Sequence, residues 1–482
     1  MRWWKLTLKV HSSWHVAAAS LFFVAGVSAA LFIRIPAWIG VALLPVLLLM
    51  FFNQSAYLLI VISVLALVIG VSYGSAHLVS RDVYGSFVQK IVLVEGRVKE
   101  DISKSASGSW SLQLDTVKFD GISLPGTILA TGRTNGGALR GDIVYLQGQV
   151  REGFGSFPAT LSIHSIQQVA RSPTGDVGRV VRDGFADKVR EAIDDPQASL
   201  GIGFLTGQKS ALSEELSEAL KIAGLTHIVV ASGYNLTILV RMARKLLLRV
   251  SKYLSAVSAS IMILGFMAIT GLSPSMTRAG LVSGMSLLSW YYGHVFHPFI
   301  LLPVAAAITV ALQPSYVWGD LGWQLSFAAF AGVMIVGPLM QSYFFGPEEP
   351  GMFRGILGET IAAHIVTIPI IALSFGTLSN VAIIANILVV PLVPLAMLLT
   401  FACGIAVLVH LPFVEWLATP TSWLLEYMVG VAMFVAEIPW AQTSVEVPSL
   451  LWLGYAGVVA AACYWMWKKT KYNFRAGEPT AC

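Results

Sequence analysis

The chain has 482 residues, of which 56% are hydrophobic and only 12% are charged, and its mean hydropathy is +0.73. A soluble globular protein carries about 25% charged residues, so this composition excludes that class and predicts a polytopic α-helical membrane protein. The net charge of +5 is too small to indicate a nucleic-acid partner by itself.

Three apolar segments open the chain, at residues 14–33, 36–52 and 56–77. Each is near the ~20 residues that span about 30 Å of hydrocarbon, so residues 1–80 are predicted to form three transmembrane helices, the first of them uncleaved. Basic residues precede the first segment, and the positive-inside rule therefore predicts a cytoplasmic N-terminus. Three crossings leave the chain outside the membrane near residue 80.

Residues 86–170 form a polar domain of short alternating runs separated by turn-forming clusters. The runs lie at Ile91–Val98, Trp110–Phe119, Thr127–Thr131, Ile143–Val150 and Thr160–Ile166. This spacing predicts a small inserted extracytoplasmic β-barrel, OB-like, with a generic β domain as the alternative.

The aromatic residues of this polar domain have two possible roles. They could stack on bases, as in OB-type single-strand binders, although strand aromatics more often form a core. The candidates are Trp110, Phe119, Tyr145, Phe154 and Phe157. Basic and acidic residues nearly balance here, so the domain has no electrostatic funnel for a polyanion.

Residues 171–222 are predicted to form amphipathic surface helices along the outer face of the membrane. Gly201–Gly207 is apolar but too short to span a bilayer. Ser213, followed by Glu214 and Glu215, predicts a helix start, since acidic residues suit the first turn.

Residues 223–468 are nearly all apolar and predict a membrane domain of about nine spans. The stretches lie at 226–240, 254–271, 276–292, 298–313, 318–338, 358–378, 380–410, 420–436 and 449–467. Pro391 and Pro394 interrupt the overlong stretch 380–410, which could be one broken helix or a hairpin. One crossing there leaves the basic tail 469–482 in the cytoplasm, so we expect the broken helix.

A strong basic cluster follows the first of these spans. It consists of Arg241, Arg244, Lys245, Arg249 and Lys252. The positive-inside rule puts this cluster in the cytoplasm, as expected if the polar domain lies outside.

The first span, residues 226–240, holds several polar groups. Its polar or helix-breaking positions are Thr226, His227, Ser232, Gly233 and Asn235. Because polar groups cost free energy in hydrocarbon, several together usually line a cavity, a pore or a helix contact.

Further polar or helix-breaking residues occur later in the membrane domain. They are Ser273, Pro274, Arg278, Asp320, Gln324, Ser326, His364, Asn380, Asn386 and Pro391. Asp320 and Gln324 are four residues apart, so they are predicted to share one face of a helix.

In this order, these segments resemble the ComEC family of competence proteins. Thr226–Asn235 corresponds to that family's motif Thr-His-Leu-Leu-Ala-Ile-Ser-Gly-Leu-His. The later motifs are similar to Ser273–Ala279, Asp320–Phe327, Ile368–Pro369 and Asn386–Pro391. The resemblance covers residues 196–410 well, and the three opening spans with an OB-like domain match the family's N-terminal arrangement.

The resemblance implies a channel of the bacterial cytoplasmic (inner) membrane that takes transforming DNA into the cytoplasm as a single strand. It implies a form without the C-terminal metallo-β-lactamase-like domain of many members, because the chain has no clustered His-x-His-x-Asp. We therefore expect no catalysis, no metal and no cofactor. The implied partners are single-stranded DNA, the bilayer, a separate nuclease, a DNA receptor and a cytoplasmic ATP-driven helicase or translocase. No Walker-type loop is present, so a partner would hydrolyse any ATP used.

Two positions depart from the family pattern. Asn235 stands where the family motif ends in histidine, so an amide replaces an imidazole. His364 stands where the family often has glutamine, and a lone intramembrane histidine is more often a helix contact than a functional group.

The predicted DNA path consists of Thr226, His227, Ser232, Gly233, Asn235 and Arg278. Arg278 would contact phosphate, or alternatively anchor its span at the outer interface. The neutral groups would let a backbone slide, or alternatively pack helices around Gly233.

The remaining polar positions are predicted to be structural or gating. Asp320 would repel DNA, so we expect it to pair with Arg278 or another cation. Pro274, Pro369 and Pro391 would break helices and expose backbone N–H groups.

Two other functions stay open on the sequence. The first is a transporter for another anionic polymer or a small solute. The second is a membrane-embedded hydrolase using Ser232 with His227, which is disfavoured because residues five apart do not share a helix face.

Overall fold

The computed structural model describes residues 11–50, 55–104, 108–134, 136–171, 176–208, 211–229, 233–247, 249–271, 273–293, 297–346, 350–445, 448–474 and 478–479. The chain divides into two compact units. Unit 1 comprises Met1–Pro173 with Phe296–Gln324, and unit 2 comprises Thr174–Val295 with Leu325–Cys482.

The helices within these described ranges are α1 (Ser12–Ala29), α2 (Ala37–Met50), α3 (Ala56–Asp82), α4 (Val177–Ala192), α5 (Gln197–Thr206), α6 (Glu214–Ile222), α7 (Thr226–Val229), α8 (Gly233–Leu247), α9 (Lys252–Thr270), α10 (Pro274–Tyr291), α11 (Pro298–Leu312), α12 (Tyr316–Gly319), α13 (Leu321–Ala331), α14 (Gly337–Phe345), α15 (Met352–Phe375), α16 (Ala382–Val389), α17 (Val393–Leu408), α18 (Val414–Ala436) and α19 (Ser449–Thr470). A π-helical turn, Gly332–Val336, joins α13 to α14, and 3₁₀ turns lie at Val83–Phe87 and Val390–Leu392.

The strands are β1 (Ile91–Val98), β2 (Ser103–Lys104), β3 (Trp110–Phe119), β4 (Ile122–Ser123), β5 (Ile128–Gly132), β6 (Ile143–Glu152), β7 (Ala159–Ala170), β8 (Thr377–Ser379), β9 (Gln442–Ser444), β10 (Tyr472–Asn473) and β11 (Glu478–Pro479).

Six helical segments of the described chain are long and apolar enough to cross a membrane. They are Ser12–Ala29, Tyr57–Phe87, Lys252–Thr270, Leu321–Phe345, Arg354–Phe375 and Ala382–Leu408. The predicted polytopic helical class is therefore confirmed. The expected number of crossings stays a prediction.

In unit 1, α1 and α3 pack against each other through glycines. A Cβ added at Gly26 would meet the Leu67 carbonyl oxygen at 2.1 Å, and one at Gly70 would meet the Phe23 carbonyl oxygen at 2.3 Å. These positions need glycine because the opposing atoms are backbone. Small residues permit such close approach in membranes, where lipid tails are as apolar as the side chains and area burial gives helices no advantage.

The β domain of unit 1 is a closed five-stranded barrel. The strands hydrogen-bond in the circular order β1–β6–β7–β5–β3–β1, and only the β5–β7 pair among these is parallel. Alternate residues of each strand point inward, which is the period-2 pattern seen in the sequence. The predicted inserted barrel is thus confirmed, and the five strand segments agree with the expected runs to within four residues at their ends.

The core of the barrel consists of these inward residues. Several are fully buried: Val94, Leu112, Leu114, Phe119, Ile128 and Leu146. Each large side chain buried this way contributes about 1.5–3 kcal/mol relative to exposure. The tight turn between β3 and β4 uses Asp120 and Gly121, both at positive φ (47° and 86°), the combination that suits a two-residue hairpin.

The core of unit 2 forms around α5, which is buried from Ala198 to Thr206. This corrects the expectation that residues 171–222 form only surface helices. The segment has no charged residue, so its burial costs little, and its glycines admit neighbours closely. A Cβ at Gly201 would meet the Thr400 hydroxyl at 2.7 Å, and one at Gly203 would meet Val229 Cγ1 at 2.5 Å.

The helices that flank α5 are amphipathic, as predicted. In α6, the Ser213 hydroxyl accepts a hydrogen bond from the Leu216 backbone N–H at 3.2 Å, so Ser213 is the expected N-cap. In α4, the Asp176 carboxylate accepts from the Arg179 backbone N–H in the same way at 2.9 Å.

Within residues 226–240 the structure describes two helical segments, α7 (Thr226–Val229) and α8, which begins at Gly233 and continues to Leu247. The expected membrane span there stays a prediction. Helix α8 is amphipathic, since Leu236 and Val240 are buried while Arg241 and Lys245 are exposed. A polar face of this kind is unfavourable in hydrocarbon and must meet water or polar groups.

By contrast, the overlong stretch 380–410 forms a single helical passage. Helices α16 and α17 are joined by the 3₁₀ turn that contains Pro391, and together they make the candidate span Ala382–Leu408. Pro391 lacks an N–H, so the helix tightens locally instead of continuing its α-helical hydrogen bonds.

Candidate functional site

The predicted path begins at α7, where Thr226 and His227 are exposed. The Nδ1 atom of His227 lies 3.0 Å from the Gly224 carbonyl oxygen, to which an Nδ1–H donates. That contact fixes the ring and leaves Nε2 as the nitrogen directed elsewhere.

The side chain of His227 is exposed. His364 of α15 lies within electrostatic range of His227 and is itself half-buried. The structure therefore brings together two histidines that are far apart in the sequence.

Asn235 lies in the protein interior, and its assignment to the path stays a prediction. Its side chain is 0% exposed. The amide Nδ2 donates to the Phe204 carbonyl oxygen at 3.0 Å and to the Ile228 carbonyl oxygen at 3.1 Å. Phe204 is in the last turn of α5, where carbonyls lack partners within the helix, and Ile228 is in α7. Asn235 thus ties α8 to two other helical segments.

Gly233, the first residue of α8, faces another helix. A Cβ there would lie 3.4 Å from Ala279 Cβ of α10, so the helices approach closely at this point. This geometry fits the alternative of interhelical packing around Gly233. The neighbouring prediction, Ser232, lies outside the described residues.

Arg278 is buried in α10, with 2% exposure. Its guanidinium carbon lies 5.8 Å from the centroid of the Phe327 ring, within the range of a cation–π contact. Both predicted roles, phosphate contact and interfacial anchor, require an accessible guanidinium. The guanidinium is buried in this structure, and both roles stay predictions.

Ser273 and Pro274 together start α10. The Ser273 hydroxyl accepts from the Met276 backbone N–H at 3.4 Å, and Pro274 occupies the first turn, where its missing N–H costs nothing. Helix α9 ends at Thr270, so Pro274 begins a new helix after a break. Their predicted structural role fits this geometry.

Asp320 and Gln324 hold the junction between α12 and α13. The Asp320 carboxylate accepts a short hydrogen bond from the Trp323 backbone N–H, which caps α13. Gln324 Nε2 donates to the Val317 carbonyl oxygen at 3.3 Å. Ser326, further along α13, is half-buried. The expected pairing of Asp320 with Arg278 stays a prediction, because those residues belong to different units.

Asn386 and Pro391 lie within the passage from α16 to α17. Asn386 is buried, and within the described part of the chain its Oδ1 has no hydrogen-bond partner. Pro391 produces the 3₁₀ turn five residues later. Asn386 thus puts a polar group inside the helix and Pro391 interrupts it. Their structural or gating role stays a prediction.

The structure also shows a polar stripe that we missed in the sequence. It consists of Thr237, Arg241 and Lys245 on α8, which recur every four residues and therefore share one face. Glu359 of α15 lies within electrostatic range of Arg241. The four-residue spacing is visible in the sequence, but we interpreted the segment as the end of a membrane span followed by basic residues that set its orientation.

Two basic residues on the barrel surface are paired with acidic ones. Arg97 binds Asp115 through two hydrogen bonds of 3.0 Å, and Lys118 donates to Glu95 at 2.8 Å. The hydrogen bond to Glu95 raises the pKa of Lys118, so the pair stays ionised. Among the aromatic candidates, Phe119 belongs to the core, whereas Phe154 is 74% exposed.

No metal centre is evident in the part of the chain that the structure describes. There, no group of three or more His, Cys, Asp or Glu side chains is placed to hold an ion.

Comparisons with known proteins identify the family. A family model described as "Competence protein" matches residues 204–470, which is more than half of the chain. ComE operon protein 3 of Bacillus subtilis (strain 168) is 22% identical to this chain over 252 residues, which make up 49% of this chain and 31% of that relative. No solved structure matches. The match extends from α5 through α19 and includes every candidate position from Thr226 to Pro391, so the chain belongs to the competence protein family.

Proposed function

We propose that this protein is a membrane channel that passes single-stranded DNA into the cytoplasm during natural competence. The observation that supports this most is the polar stripe of α8, which lies within the region that the family model matches. The single-stranded form of the substrate is what the resemblance to the competence family implies.

A strand that crosses the membrane brings one phosphate charge per nucleotide. Hydrocarbon excludes such charge, so the path needs polar or positive walls. Thr226, His227 and Thr237 supply neutral hydrogen-bonding groups, and Arg241 supplies a positive one. Weak, repeated contacts of this kind let a polymer move without being trapped at one site.

We infer the orientation from charge. Under the positive-inside rule, the basic residues after α8 and those at the end of α19 would face the cytoplasm, and a crossing between the barrel and Arg241 would put the barrel outside. The bacterial cytoplasmic membrane, the separate nuclease, the DNA receptor and the ATP-driven motor are parts of this proposal. So is the absence of catalysis by this chain.

Site-directed cross-linking tests the proposed path. Cysteines at Thr237 and Arg241, on the polar face of α8, should cross-link to photoreactive single-stranded DNA during uptake. Cysteines at Leu236 and Val240, on the buried face of the same helix, are the matched controls and should not. Equal cross-linking of both faces would contradict the path. Normal transformation after deletion of the gene would refute the function.

The competing function is transport of another anionic polymer or a small solute. The α8 stripe fits it too, because Thr237 and Arg241 would bind any anion. Purified protein in vesicles should take up labelled single-stranded DNA in preference to polyphosphate or a polyanionic sugar. Equal uptake of all three would favour the competing function.

A further inference from the structure

The α8 stripe continues at Lys245 into a second surface. We define it as the basic patch: Lys245, Arg249 and Lys252, all exposed, with the exposed ring of Tyr292. Glu359 lies within electrostatic range of Arg241, the stripe residue that precedes Lys245 by four positions.

Cation–π contacts join the helices that carry the patch. The Arg244 guanidinium carbon lies 3.9 Å from the centroid of the half-buried Trp290 ring, which joins α8 to α10. Lys252 Nζ lies 5.6 Å from the same ring and 5.4 Å from that of Tyr291. These contacts hold the starts and ends of α8, α9 and α10 together. The exposed cations therefore stand on a fixed base.

The aromatic groups divide into two kinds. Trp290 is covered by Arg244 and is unavailable to a ligand, whereas Tyr292 is 69% exposed and meets Tyr291 edge-on at 5.4 Å. A rigid exposed ring beside several cations is the combination that binds single-stranded nucleic acid, since the ring stacks on a base while the cations contact phosphates.

We infer that the basic patch binds the single strand as it leaves the path, holding phosphates at Lys245, Arg249 and Lys252 and a base on Tyr292. The inference rests on the proposed function and names where the strand is held at the cytoplasmic side. It is carried by the continuity of the α8 stripe: Thr237, Arg241 and Lys245 follow one another on one helix face, at a rise of about 6 Å per step.

The test uses the full chain in vesicles of phosphatidylcholine and measures binding of labelled single-stranded DNA over a range of salt concentrations. The variant carries Lys245→Gln, Arg249→Gln and Lys252→Gln, which leaves Arg241 in place. The matched control carries Lys468→Gln, Lys469→Gln and Lys471→Gln, three exposed cations at the end of α19 with the same predicted sidedness.

Log affinity decreases with log salt concentration, and each phosphate contact contributes about 0.7 to the magnitude of that slope for a single strand. The loss of three contacts should therefore make the slope shallower by about 2. The control should keep the wild-type slope. A second variant, Tyr292→Leu, should weaken single-strand binding on the order of tenfold with no change in slope, because stacking does not release counterions.

The outcomes separate the two proposals. If wild-type protein binds no DNA, the proposed function fails. If wild-type protein binds but the patch variant matches the control in affinity and slope, only the patch is overturned. A defect that appears only in vesicles with anionic lipid would assign the cations to lipid headgroups, which also overturns it. If the triple variant misfolds, Lys245→Gln alone should make the slope shallower by about 0.7, and an unchanged slope would count against the patch.

Discussion

Asn235 gives the sharpest test of the structure, because its amide donates hydrogen bonds to carbonyl oxygens of two other helical segments. Replacing it with leucine keeps a similar volume but removes both donors. The Phe204 and Ile228 carbonyl oxygens, now 3.0 and 3.1 Å from Nδ2, would lose these hydrogen bonds inside the protein. Loss of a partner for a buried polar group costs about 1–3 kcal/mol, so Asn235→Leu should lower the free energy of unfolding by about 2–6 kcal/mol.

The measurement is the free energy of unfolding of the purified protein by titration with a denaturing detergent. Thr237→Val is the matched control on the same helix. Its hydroxyl donates at 2.7 Å to the Gly233 carbonyl within the helix, and such bonds add little stability. Asn235→His should fall between the two, because a neutral imidazole has one N–H and can serve only one carbonyl. If Asn235→Leu and Thr237→Val are equally stable, the amide does not join these helices and the reasoning is wrong.

Three further predictions follow from packing and charge. Gly70→Ala should destabilise the α1–α3 pair by about 1–3 kcal/mol, because the new Cβ would meet a backbone oxygen at 2.3 Å. In the control, Gly265→Ala, the new Cβ would have nothing within 4 Å, so this variant should be neutral or slightly stabilised in thermal unfolding. Phe119→Ala should cost the barrel about 3–5 kcal/mol and Phe154→Ala less than about 0.5 kcal/mol, and equal losses in protease resistance would refute the assigned core. Glu359→Gln should strengthen single-stranded DNA binding by less than about tenfold, since it removes a negative charge beside Arg241; weaker binding in the salt titration would contradict this reading.

The sequence was sufficient for the barrel because a strand leaves a local signal. Alternation with period 2 marks which residues of Ile91–Val98 and Trp110–Phe119 point inward, and both segments occur as predicted. Local chemistry was likewise enough for Ser213, whose hydroxyl caps α6 whatever lies around it. In each case the determining interactions lie within a few residues of one another.

The features that sequence reasoning missed share one cause, which is that long-range packing decides the position of a polar or glycine-rich segment in a membrane protein. The sequence of α5 does not differ from that of a short apolar helix on a surface, yet α5 is buried among α7, α17 and α18. Likewise, Arg278 near the start of a span reads as an interfacial cation, and only the fold shows that its guanidinium lies over Phe327.

The position where this chain leaves the family motif is therefore a structural one. Asn235 was the residue least safe to assign by resemblance, since a histidine in the motif suggests titration or phosphate contact. It is buried and donates to two carbonyl oxygens, and an amide supplies two N–H donors on one atom where a neutral imidazole supplies one. His227, which the motif keeps, is exposed, and Asn235 holds the adjoining Ile228 of α7. The departure at Asn235 thus changes how α7 is held.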